Sequence, residues 1–80
     1  MRRRDISTLA VLEAAELAHT KHGLMTWQYI QKETGAPEKV IYAAMEREDN
    51  RGLLEWGVSL RTAWLTKEGE QRLKQLREGI

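Results

Sequence analysis

Residues Thr26 to Gly69 read TWQYIQKETGAPEKVIYAAMEREDNRGLLEWGVSLRTAWLTKEG, and the fold turns on this stretch. Thr26 is a good N-cap, and the residues after it predict a short helix over 27–34 anchored by Trp27 and Ile30. Gly35 permits a positive φ, so the chain can turn there. Pro37 suits the first turn of a second helix, where its missing N–H costs nothing. That helix is expected over 37–50, with Val40, Ile41, Ala44 and Met45 as its inner stripe. Lys39, Tyr42, Ala43, Glu46 and Arg47 fall mostly outside the stripe, and Gly52 ends the segment. Leu53 to Trp56 and Arg61 to Leu65 are rich in strand formers, and Gly57-Val58-Ser59-Leu60 fits a tight connection between them. Thr66 then caps a last helix over 67–78, with Leu73 and Leu76 inside.

Working outward, residues 1–5 read as a disordered basic arm and residues 6–80 as one domain. Asp5 or Ser7 can cap a first helix over 6–22, where Ile6, Leu9, Ala10, Leu12, Ala14, Leu17 and Ala18 recur near helical spacing. Gly23 after Lys21 and His22 is a sound stop, and Leu24 and Met25 lead on as a short linker entering the core. The 80 residues hold no cysteine, which excludes disulfides, a thiolate nucleophile and cysteine metal sites. No apolar run approaches the roughly 20 residues of a membrane span, so no membrane role is expected. The expectation is a soluble, cytoplasmic chain. Net charge is +1, yet Arg2, Arg3 and Arg4 supply three positive charges, leaving a body of −2. The basic signal therefore lies in the arm.

Helix, glycine turn, helix and hairpin is the order of a winged helix-turn-helix. The chain resembles winged-helix regulators of the MarR-like and PadR-like kind. The matches are Glu33-Thr34-Gly35 at the turn, Arg51-Gly52-Leu53-Leu54 entering the wing, and Arg61-Thr62-Ala63-Trp64-Leu65-Thr66-Lys67-Glu68-Gly69 leaving it. They span roughly residues 8 to 76. The family usually places a leucine one turn after the position of Met45, where this chain has Glu48. The resemblance implies a mainly α fold with a small β-hairpin: three helices, a two-strand wing and a C-terminal helix. It also implies a double-stranded DNA-binding module, a transcriptional regulator of prokaryotic, phage or plasmid setting, nucleoid-associated when on DNA. Eighty residues leave no room for the long dimerisation helices and effector pocket of full MarR-like proteins.

Carried over by position, the second helix of the motif presents Glu38, Lys39, Tyr42 and Ala43 to base edges and Arg47 to a phosphate. Lys39 suits guanine acceptors or a phosphate, and Glu38 can accept from cytosine N4. Tyr42 suits a phosphate oxygen or a thymine methyl. The bland alternative is an ordinary solvated helix face. Glu46, Glu48 and Asp49 crowd the carboxyl end of that helix and oppose its dipole. Gln28 and Thr26 at the start of the preceding helix could hold a phosphate, with Lys32 further along on the backbone side; plain solubility is the alternative. Arg61, the only cation of the wing, either contacts DNA or stacks on Trp56. Arg2, Arg3 and Arg4 either neutralise backbone or solubilise the terminus. Trp27 and Trp64 are expected in the core, with Trp56 left open. An exposed apolar wing around Trp56, Val58 and Leu60 would instead mark a protein-interaction module. A homodimer, formed through the first or last helix, would join two half-sites. His19 and His22 share a helix face, but no further ligands accompany them, so no metal or other cofactor is expected. No phosphate loop, nucleophile–base pair or carboxylate dyad is evident, so an enzyme is not expected.

Overall fold

The computed structural model describes residues 2, 5–21, 23–57 and 63–79. The chain is mainly helical, with a two-strand antiparallel pair. In order it forms α1 (Thr8–Lys21), α2 (Thr26–Thr34), α3 (Glu38–Asn50), β1 (Leu54–Glu55), β2 (Trp64–Leu65) and α4 (Lys67–Arg77). Leu54 pairs with Leu65 and Glu55 with Trp64. The connection at 58–62 lies outside the described residues, as do Met1, Arg3, Arg4, His22 and Ile80. None of the described helices is long and apolar enough to cross a membrane.

Local chemistry sets each helix start. Ser7, rather than Asp5, caps α1: its Oγ accepts from the Ala10 N–H at 3.0 Å. Asp5 closes the turn before it, its carboxylate accepting from the Arg2 N–H at 2.7 Å. At α2 the expectation that Thr26 is the cap is overturned. Met25 holds the cap position, and Gln28 Oε1 reaches back to accept from the Met25 N–H at 2.8 Å. Thr26 is fully buried, and its hydroxyl donates to the Ala63 carbonyl at 2.8 Å. The physical reason is satisfaction: a carbonyl in the interior needs a donor, and Thr26 is the residue placed to give one. Pro37 also shifts by one position. It caps α3 from outside, its carbonyl accepting from Val40 and Ile41 at 3.0 and 3.1 Å. Thr66 caps α4 as expected, its Oγ1 accepting from the Gly69 N–H at 2.9 Å.

The helix ends are equally specific. Gly35 closes α2 in the left-handed conformation at φ 70° and donates to the Gln31 carbonyl at 2.7 Å. After α3, Gly52 turns at φ 77°. Its N–H bonds the Asp49 carbonyl at 2.9 Å, and the Leu53 N–H bonds the Glu48 carbonyl at 3.0 Å. This pair of bonds is the Schellman closure, which satisfies the last carbonyls and redirects the chain into β1.

The core lies where α1, α3 and α4 converge on the strands. Leu12 of α1, Ile30 of α2, Ile41 and Met45 of α3, Leu54 of β1 and Leu73 of α4 are all buried in it. Trp27 packs against its edge, and Leu76 is only partly buried. Trp64 is 39% exposed, against the expectation that it closes the core. The pairing explains this: Leu65, its strand neighbour, turns inward, so Trp64 must face outward. Trp56 is more exposed still, at 45%.

Gly69 marks the closest approach of α4 to the strands. A Cβ built there would collide with the backbone carbonyl of Leu53. Backbone cannot yield as a flexible side chain can, so α4 would have to move outward. Gly69→Ala is therefore expected to cost roughly 1–3 kcal/mol, as overpacking does. Urea unfolding of the two proteins measures this, and equal midpoints would refute the close packing of α4 on Leu53.

Candidate functional site

The outward face of α3 gathers four of the expected residues. Glu38, Lys39, Tyr42 and Ala43, together with Glu46, line one shallow hollow of about 600 Å³. Their spacing along the helix brings them to one side. Glu38 and Lys39 are exposed, whereas Tyr42 and Ala43 are partly covered. The Tyr42 ring packs against the core and its hydroxyl oxygen is buried. A phosphate therefore cannot reach that hydroxyl in this arrangement, and the ring face is what Tyr42 offers. Lys32 is exposed in the last turn of α2. Gln28 is half-buried, with its carbonyl oxygen engaged at the Met25 N–H. Arg2 is exposed, while Arg3, Arg4 and Arg61 lie outside the described residues.

Two expected contacts are withdrawn. Thr26 is buried against Ala63 and cannot meet a phosphate. Arg47 turns inward: its Nη2 donates to the Ile6 carbonyl at 2.7 Å and to Glu48 Oε2 at 2.9 Å. The reason is Glu48, whose side chain has 0% exposure. A buried carboxylate requires both counter-charge and donors. Arg47 supplies one and Arg51 the other, with Arg51 Nη1 at 3.0 Å from Glu48 Oε1 and 3.1 Å from Thr8 Oγ1. Each guanidinium thus bridges Glu48 to the start of α1. Glu48 is accordingly not part of the acidic surface expected at the end of α3, which reduces to Glu46 and Asp49. Arg51 escaped the sequence reading, although a signal existed. Glu48 occupies the next position of the inner stripe after Ile41, Ala44 and Met45, and an inward carboxylate demands cations beside it.

A second concavity lies on another side. A groove of about 470 Å³ runs between α1 and α4, floored by Ala15, Leu65 and Leu73 and bordered by Trp64. Trp64 Nε1 donates to Glu55 Oε2 at 3.3 Å across the strand pair. On the rim, Arg77 joins α4 to α1 through Glu16 at 2.8 Å and Glu13 at 3.5 Å. The hydrogen bond from Glu16 raises the Arg77 pKa further above its ordinary value, so the guanidinium stays charged at any working pH. Among the described residues no group of three or more histidine, cysteine or carboxylate side chains is placed to hold a metal ion.

The chain matches no protein-family model, no curated protein and no solved structure at a significant level.

The Glu48 cluster makes a sharp thermodynamic prediction. Arg47 is 16% exposed and Arg51 56% exposed. Removing the carboxylate strands a largely buried cation and a half-solvated one. Glu48→Leu is expected to cost about 3 kcal/mol, the low end for breaking a buried pair. Adding Arg47→Met should recover part of that loss, because it removes the stranded charge. Denaturant unfolding of the two single variants and the double variant tests this coupling, and strict additivity would refute it.

Proposed function

We propose that the chain is a winged helix-turn-helix module that binds double-stranded DNA as a transcriptional regulator, with α3 in the major groove. The observation that carries this reading is the pair α2 and α3, joined through left-handed Gly35 and followed by an antiparallel strand pair, with Glu38, Lys39, Tyr42 and Ala43 together on the outer face of α3. A helix presenting its first turns outward in this way suits reading of base edges. Lys39 bonds guanine acceptors or a phosphate, Glu38 accepts from cytosine N4, and the Tyr42 ring packs on a thymine methyl. Lys32 meets the backbone from α2. Arg2, and by sequence Arg3 and Arg4, add charge-dependent affinity without base reading. Gln28 serves as a helix cap first, and Arg47 and Thr26 serve the fold.

The second reading, a protein-interaction module, has one observation of its own: Trp56 stands 45% exposed beside β1. Val58 and Leu60, the other residues of that patch, lie outside the described residues.

Amide shift mapping with a duplex, at low and then moderate salt, separates the two. Shifts at Lys32, Lys39 and Tyr42 that fade steeply with salt support DNA. Lys39→Ala should then weaken binding, and it should lower the salt slope by about one if its partner is a phosphate. Shifts absent at low salt, or confined to the arm, would sink the DNA reading and direct the search to Trp56.

A further inference from the structure

Among the described residues, Leu17, Leu24, Met25, Trp56 and Trp64 are the large apolar side chains left exposed. Isolated exposure of this kind is ordinary, but a contiguous patch is not. Leu24, Met25 and Trp64 line one hollow of about 380 Å³. That hollow shares His19 and Trp64 with the groove between α1 and α4. An apolar concavity and a pair of exposed apolar side chains therefore lie side by side, with Trp64 as their common border. We infer that this face binds a second copy of the chain, the Leu24-Met25 segment of each copy filling the α1–α4 groove of the other.

Symmetry makes the patch self-complementary. A two-fold axis passing near Trp64 carries the projecting residues of one copy onto the groove of its partner, and the reverse at the same time. The charges agree. Glu16, Glu70 and Glu78 on the groove rim outnumber Lys74 and Arg77, and Arg77 is already held by Glu13 and Glu16. The inserting segment follows Lys21-His22 in the sequence and carries no acidic residue from 21 to 25. A cationic, apolar segment thus meets an acidic, apolar groove. The indole has its N–H bonded to Glu55, so its remaining apolar surface can be covered without stranding a donor. None of the groove-lining residues belongs to the outer face of α3, so pairing through this groove leaves both α3 faces open.

The test is sedimentation equilibrium of the full chain over a concentration series, with no DNA present, so its outcome does not depend on duplex binding. The unmodified chain is expected to self-associate to a dimer. Met25→Glu sets a carboxylate against the acidic rim and should weaken association roughly ten-fold or more, as a like charge does at an interface. Met25 is 43% exposed and its backbone alone serves the α2 cap, so the fold should survive, which circular dichroism checks. Adding Glu70→Lys and Glu78→Lys to Met25→Glu should restore the dimer. A chain that stays monomeric throughout would overturn the inference, leaving the groove to another protein. So would a dimer indifferent to Met25→Glu, or a charge swap that rescues nothing.

Discussion

A carboxylate with no exposed surface, at the inner register of α3, sets the terms for everything packed around it. Burying Glu48 is favourable only if both oxygens find charged donors. Arg47 and Arg51 provide them from the same helix, and each guanidinium keeps a second hydrogen bond for the start of α1. Ile6, one of the fully buried residues, is held by its carbonyl at this cluster. The position at which α1 begins is therefore fixed electrostatically as well as by apolar packing. Where the resembled family usually fills this site with a leucine, this chain substitutes a directional network for a non-directional contact. Such networks trade little in stability but tolerate few alternative arrangements.

The same cluster reshapes the surface. It withdraws Arg47 from the outer face of α3 and withdraws Glu48 from the acidic end of that helix. The face left behind is small, with Lys39 between Glu38 and Tyr42. Reading by so few groups suits a protein that gains affinity from a flanking arm and a second copy rather than from one helix alone. The apolar groove lies away from that face, between α1 and α4. Two surfaces with different chemistry thus coexist on one small core.

Much of this architecture was legible in the sequence because its signals are local. Gly35, Gly52 and Thr66 each act within a few residues of their own position, and all three do what their chemistry suggests. The 3.6-residue stripe of Ile41, Ala44 and Met45 identified the inner face of α3. The misreadings all involve distant partners. Thr26 resembles a cap until Ala63, 37 positions on, presents a carbonyl to it. Arg47 looks like a surface cation until Ile6, 41 positions back, presents another. Trp64 reads as core by size, but strand alternation gives the inward place to Leu65. Of the candidate site, the grouping on α3 follows from helical spacing. Which of its members remain accessible depends on contacts that no local pattern encodes.

Thr66 has a consequence beyond its cap. Its hydroxyl donates to the Gly52 carbonyl at 2.7 Å, and its N–H donates to the Leu53 carbonyl at 3.1 Å. The chain between Leu53 and Thr66 is thereby closed at its root, and both anchoring bonds are made by backbone or by Thr66 itself. A segment tied off in this way is topologically a lariat. Its length can change while its knot does not, because doubling a closed loop costs only about 0.6 kcal/mol. This tie makes the segment between β1 and β2 the natural place for the sequence to lengthen, shorten or exchange charge over evolutionary time without disturbing the helices it hangs from.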